Sequence, residues 1–264
     1  MNHVVSSLSN PIVKEIKKLY KRKYRWQKKL FIVEGIKIIE ECIKEKWNIK
    51  YIIIREDFPL KFEVSRLIDC IDDNNIIVVN EKVFNEITDM ENPQGILGVI
   101  EFNLSDMEFL FKVKDKFFII IDELQDPGNM GTIIRAGDAF GVNGIIITQG
   151  CVDIYSPKVV RSTMGSIFHV PIVFADDKLK LIKDLKEKKV AVYATSLRGN
   201  IHINRVNFRR DFALIIGNES NGVTEDFLRT ADSLIKIPMK GKAESLNVAI
   251  ASSIIMYEVL RQRG

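Results

Sequence analysis

Along the 264 residues, continuous apolar runs alternate with stretches whose apolar positions recur at helical spacing. The runs at residues 117–121, 144–148, 170–173, 190–195, 212–216 and 234–237 are apolar at nearly every position, not at every second one. Strands written this way have both sheet faces covered, so the pattern predicts an α/β fold with a parallel sheet flanked by helices. Ligands of such sheets bind outside the carboxyl ends of the strands, which directs attention to the loops that follow them. The first hundred residues repeat the alternation on a smaller scale, with short strands at residues 31–33, 51–54, 76–79 and 96–100. Ile36, Ile39 and Ile43 mark one helical face there, and Phe62, Leu67 and Ile71 another. Ahead of them Asn10 is placed to cap a helix with Pro11 at its first position and Ile12, Ile16 and Leu19 along one side. The predicted organisation is a basic N-terminal helix plus a small α/β unit over residues 1–104, a linker over 105–115, and a second α/β unit over 116–264.

Charge changes this picture at one end. The net charge is +4, but residues 1–30 carry nine Lys and Arg against the single acid Glu15, so they hold +8 and the rest of the chain −4. Tyr20, Tyr24 and Trp26 are interleaved with these cations. Cations that neutralise phosphates beside rings that stack on bases predict contact with RNA. The longest purely apolar runs, such as residues 117–121, fall far below the ~20 residues that span a bilayer. The N-terminus has no apolar core of the about 7 to 15 residues found in a secretory signal, so a cytoplasmic protein is expected. Cys42, Cys70 and Cys151 are widely spaced and His3, His169 and His202 are scattered, so neither a disulfide framework nor a metal site is expected.

Three loops after strands of the second unit collect the unusual residues. The first runs from Asp122 through Pro127, Gly128, Asn129 and Gly131 into a helix that carries Arg135. Pro127-Gly128 predicts a turn and Asn129 a helix cap, and spacing alone pairs Arg135 with Asp138 on the helix surface. The second loop, Gly217-Asn-Glu-Ser-Asn-Gly222, is followed by Val223-Thr224 and lacks the lysine of a phosphate-binding P-loop. It is not a dinucleotide fingerprint either, although Gly217 directly after a strand lets a flat ligand approach the backbone, with the Glu219 carboxylate at the sheet edge. The third loop, residues 237–247, enters the last helix, which Ser245 or Asn247 is placed to cap, and Lys236, Lys240 and Lys242 make it cationic.

Together and in this order, the three loops resemble the SpoU (TrmH) family of the SPOUT superfamily, whose members methylate the ribose 2′-hydroxyl of ribosomal or transfer RNA. The resemblance is carried by Asn129-Met-Gly-Thr-Ile-Ile-Arg135 with Phe140-Gly141, by Ile216-Gly-Asn-Glu219 with Gly222, and by Ile237-Pro-Met239 with Gly241 and Ser245-Leu-Asn-Val-Ala249. Ser156 to Gly165 and Pro93-Gln-Gly95 are similar to the ribosomal RNA branch. The resemblance implies a methyltransferase domain whose C-terminal segment forms a trefoil knot, an exception to the usual unknotted chain. It implies an S-adenosyl-L-methionine pocket with contacts at Thr195, Leu197, Gly217, Ile237, Met239 and Leu246. It further implies a ribosomal-protein-like substrate-binding domain at the N-terminus and a homodimer with the site near its interface. Arg135 is the implied catalytic residue, with Asn129, Glu219, Ser245 and Asn247 orienting it and the ribose phosphate.

The implied reaction is displacement at a sulfonium methyl by a ribose oxygen, so oxygen, methyl and sulfur would have to be aligned and the hydroxyl proton lost. A guanidinium is a poor base. Arg135 therefore either is held neutral by desolvation or stays charged and stabilises the developing oxyanion, which needs no extreme shift. The expected substrate is large-subunit ribosomal RNA, at a guanosine. The competing readings are a transfer RNA 2′-O-methyltransferase and a non-catalytic RNA-binding protein of the same fold.

Overall fold

The computed structural model describes residues 4–59 and 71–264. By its contacts the chain divides into two compact units: Met1–Asn103 with Asp153–Phe168, and Leu104–Val152 with His169–Gly264. The second unit is interrupted by a segment that packs with the first, whereas the sequence reading placed 116–264 in one piece. Of the second helical face expected in the N-terminal unit, Phe62 and Leu67 lie outside the described residues.

The basic N-terminus forms two helices, α1 (Pro11–Leu19) and α2 (Arg22–Lys28). Asn10 caps α1 by accepting from the Ile12 amide at 2.9 Å, and Val13, Ile16 and Leu19 form its buried face. Then follow β1 (Leu30–Glu34), α3 (Ile36–Lys44), β2 (Ile49–Arg55), β3 (Ile76–Val79), α4 (Glu81–Ile87) and β4 (Ile96–Glu101). The strands make a mixed sheet in the order β1-β4-β2-β3, with only β2 and β3 parallel. Val13, Ile16 and Leu19 pack against Ile32, Ile53, Val83, Phe84 and Val99 in its core.

The expected base-stacking set at the N-terminus is corrected: part of it turns inward. Arg25 is only 4% exposed and places Nε and an Nη on Oδ2 of Asp153 at 3.0 and 2.6 Å. Trp26 is half-buried, edge-on to Phe102, and donates its indole N–H to the same carboxylate. The Tyr20 hydroxyl donates to the Ile87 carbonyl at 2.7 Å. The outward set is Lys14, Lys17, Lys18, Lys21, Arg22, Lys23, Lys28 and Lys29, with Tyr24 half-buried between Lys18 and Lys28.

In the second unit the segment expected to be a linker carries a helix, α5 (Met107–Phe111). It is seated on the sheet through the fully buried Leu110, and the absent side chain of Gly144 makes room for that leucine. The chain continues through β5 (Phe117–Ile121), α6 (Pro127–Ala139) and β6 (Gly144–Thr148). After the excursion that contains α7 (Pro157–Thr163) come β7 (Ile172–Ala175), α8 (Lys178–Glu187), β8 (Ala191–Thr195) and β9 (Ile201–His202). The unit closes with β10 (Phe212–Ile216), α9 (Glu225–Thr230), β11 (Ser233–Lys236) and α10 (Val248–Arg263). Its sheet has the order β7-β6-β5-β10-β8-β11-β9, and all the recorded pairings are parallel. Every residue of β5, β6 and β10 is buried, as continuous apolar runs demand of strands covered on both faces. Because β10 lies between β5 and β8, and β11 beside β8, the loops that leave these four strands emerge side by side.

Candidate functional site

The loops after β8, β10 and β11 enclose a cavity of about 800 Å³. That size suits a ligand of drug or cofactor dimensions. Thr195, Leu197, Gly217, Ile237, Met239 and Leu246 all line it, so the six residues singled out as cofactor contacts converge on one space. Leu197 is 64% exposed, Met239 38% and Leu246 36%, which leaves apolar walls facing solvent where a flat apolar group would cover them. Gly217 forms part of the floor. A Cβ there would stand 2.1 Å from the Gly222 carbonyl carbon and 2.2 Å from the Val223 nitrogen, so no other residue fits this turn. Asn218 and Gly222 then exchange backbone hydrogen bonds at 2.9 and 3.0 Å, closing the loop on itself.

Glu219, Ser245 and Asn247 also line the cavity, and a hydrogen-bonded chain ties two of them to Asn129. Asp126, not Asn129, caps α6, by accepting from the Asn129 amide at 2.7 Å. The reason is local: Pro127 takes the first helical position, where its missing N–H costs nothing, and moves the cap one residue ahead of it. Asn129 sits in the first turn with its amide group free for other work. Its Nδ2 donates to Glu219 Oε1 at 3.1 Å, and its Oδ1 accepts from Asn247 Nδ2 at 2.9 Å. Asn247 in turn caps α10, accepting from the Ala249 and Ile250 amides at 2.9 and 3.2 Å.

The Glu219 carboxylate accepts two more hydrogen bonds, from the amides of Asp126 at 2.9 Å and Gln125 at 3.3 Å. Burial pushes its pKa up, but the bonds from the Asp126 amide, its own amide, Asn129 and the Gln125 amide outweigh burial and hold it below the usual glutamate value. The carboxylate is thus a fixed negative charge that joins the start of α6 to the start of α10.

Arg135 is exposed, two turns into α6 and outside the cavity lining. The surface pair with Asp138 expected from spacing does not form. Asp138 instead takes Nδ1 of His169 at 2.8 Å, and among the described residues no hydrogen bond or ion pair engages the Arg135 guanidinium. Ser245, also exposed, lies on the cavity rim. Of the cations in the third loop, Lys240 and Lys242 are exposed; in the segment Ser156 to Gly165, Lys158 is exposed and Arg161 pairs with Asp89 at 2.5 Å. Among the described residues, no group of three or more His, Cys, Asp or Glu side chains is arranged to hold a metal ion.

Sequence reasoning missed Asp122 and Asn218. Asp122 is fully buried at the end of β5, and the Asn218 side chain donates to the Glu123 carbonyl at 2.9 Å. The signal for Asp122 was its place directly after a run of five buried apolar residues.

Comparison with known proteins gives two family matches. Residues 116–257 match the SpoU rRNA Methylase family, and residues 10–98 match the MRM3-like substrate binding domain. The chain is 33% identical, over 97% of its length and 98% of the relative's, to the 23S rRNA (guanosine(2553)-2′-O)-methyltransferase RlmP of Bacillus subtilis. It is 28% identical, over 88% of its length and 83% of the relative's, to the 23S rRNA (uridine(2479)-2′-O)-methyltransferase of Streptomyces viridochromogenes. Among solved structures, the AdoMet-bound rRNA methyltransferase from Sinorhizobium meliloti superposes with a TM-score of 0.86 at 33% identity, covering 98% of this chain and 97% of that one.

Proposed function

Because this chain belongs to the SpoU rRNA methylase family and is, with it, an S-adenosylmethionine-dependent RNA 2′-O-methyltransferase, we propose that its substrate is the ribose of a guanosine in 23S ribosomal RNA. The observation that carries the reading is the convergence of the Glu219–Asn129–Asn247 chain on the rim of an 800 Å³ cavity with apolar walls. The guanosine rests on the likeness to RlmP along nearly the whole of both chains.

The cavity fits S-adenosylmethionine. Leu197, Met239 and Leu246 offer apolar surface to the adenine, and the bare backbone at Gly217 admits a flat ring that a Cβ would exclude. Thr195 and Ile237 complete the contacts. Bound there, S-adenosylmethionine supplies an electrophilic methyl group on a positively charged sulfur. The residues of the chain do the rest. The Asn129, Glu219 and Asn247 side chains hold one another in fixed positions, and with Ser245 they orient the ribose and its phosphate, which limits the search for alignment. Arg135, exposed and free of any carboxylate, presents its guanidinium to the oxygen that gives up its proton to solvent, and stabilises the negative charge that develops there. Glu219 is too heavily hydrogen-bonded to be a ready proton acceptor.

The N-terminal unit serves as the substrate-binding domain, with the outward cations of α1 and α2 taking RNA phosphates. Two copies of the chain pair through α10, whose exposed Ile250, Ile254, Tyr257 and Leu260 make an apolar stripe on a helix that packs beside α6. Family membership supports a C-terminal segment threaded as a trefoil knot. Among the described residues no helix is long and apolar enough to cross a membrane. A ribosomal RNA substrate, as in the 23S rRNA methyltransferase relatives, supports work in the cytoplasm.

Arg135→Ala separates binding from chemistry. Calorimetry is expected to give S-adenosylmethionine affinity within about twofold of wild type, while methylation of 23S RNA falls by about 10²- to 10³-fold, the usual effect of removing one oxyanion-stabilising group. Near wild-type turnover would remove Arg135 from the mechanism.

A further inference from the structure

Among the described residues of the methyltransferase unit, Asp122 is the charged side chain that solvent does not reach at all, and the chemistry above gives it no task. A buried carboxylate is costly unless paired and hydrogen-bonded, so its partners indicate what it is for. Oδ1 stands 2.7 Å from Lys178 Nζ and 3.4 Å from the Thr148 hydroxyl, and Oδ2 accepts the Thr224 amide at 2.8 Å. Lys178, the first residue of α8, also donates to the Thr224 hydroxyl at 3.2 Å and to Glu123 Oε1 at 2.8 Å. The Glu123 carbonyl accepts the Asn218 side chain.

Asn218 and Thr224 are the two ends of the loop that floors the cavity, and both are tied to the dipeptide Asp122-Glu123 at the end of β5. Two residues further on, the Gln125 and Asp126 amides hold Glu219, the neighbour of Asn218 in the same loop. A loop gripped near both of its ends has little freedom left to lose when a ligand arrives, and affinity is not divided among competing conformations. The geometry points to Asp122 and Lys178 as positioning residues that pre-form the 217–224 loop for S-adenosylmethionine. This rests on the reading of the cavity as the cofactor site.

The test measures S-adenosylmethionine Kd by calorimetry and kcat at saturating cofactor on full-length Lys178→Met, Asp122→Asn, Lys178→Arg and, as a cavity control, Leu246→Arg. Lys178→Met and Asp122→Asn are expected to weaken binding about tenfold, with kcat within about threefold of wild type, because the loop's competent conformation is then only fractionally populated. Lys178→Arg keeps the charge and is expected to recover to within about threefold in Kd. Leu246→Arg is expected to abolish binding. If Leu246→Arg loses the cofactor while Lys178→Met and Asp122→Asn bind it as wild type does, with or without a lower Tm, the positioning role is overturned; either variant suffices should the other fail to fold. If Leu246→Arg itself binds normally, the cavity reading fails, and the inference with it.

Discussion

A carboxylate and a guanidinium a few ångströms apart would cancel each other, and the residues of this site are arranged so that they do not. Asp138, the acid nearest Arg135 by helical spacing, is occupied by His169, and Glu219 is occupied by amides. The sequence singled out both side chains but paired Arg135 with Asp138, because His169 lies 31 residues from Asp138 and no periodicity links them. Glu219 gives a pH prediction with a definite sign. Its pKa is lowered in the folded chain, so the stability it contributes is fully present above the ordinary value of 4.5 and is lost as pH falls through the lower folded value. Thermal unfolding of wild type and Glu219→Gln is therefore expected to differ by a constant Tm gap from neutrality down to about pH 5, closing at lower pH. A gap that closes between pH 7 and 5 would contradict a carboxylate held ionised by its hydrogen bonds.

At the scale of elements, the strands of the parallel sheet were legible because five consecutive buried positions leave little else for β5, β6 and β10 to be. Helix ends were less so: the cap of α6 falls on Asp126 because Pro127 follows it, while Asn129 has equal propensity to cap and stands three residues away. At the N-terminus the first helix and its Asn10 cap were legible, but not which side chains turn inward. Charge runs on helices are usually solvated, but Arg25 is buried by Asp153, 128 residues distant, and its neighbour Trp26 follows it inward. The pair locks α2 to the excursion 153–168, where Tyr155 stacks on Phe102 at 3.9 Å between centroids. Removing one partner of a buried pair strands the other, so Arg25→Met is expected to destabilise the N-terminal unit by about 3–5 kcal/mol in denaturant unfolding. Arg25→Met with Asp153→Asn is expected to recover part of that loss, since no charge is left unpaired and the amide oxygen still accepts from Trp26 and the Tyr155 amide. A single variant as stable as wild type would mean that the pair does not hold α2 in place.

For the whole molecule, the division of labour follows from where the charge and the cavity lie. The N-terminal unit carries most of the +8 of the first thirty residues on its surface, and the methyltransferase unit holds the cavity and the Glu219–Asn129–Asn247 chain. The small net charge of +4 conceals this asymmetry. Which nucleotide such a molecule modifies depends on the RNA it holds, and that is where the central claim is most directly exposed. The decisive measurement is a map of 2′-O-methylation across ribosomal and transfer RNA from cells with the gene, without it, and with it restored as wild type or as Arg135→Ala. For a methyltransferase specific to a guanosine of 23S RNA, one guanosine is expected to lose its methyl group without the gene, regain it with the wild type and stay unmethylated with Arg135→Ala. A ribosomal map that does not change while a transfer RNA site does, or a lost site at a uridine, would contradict it.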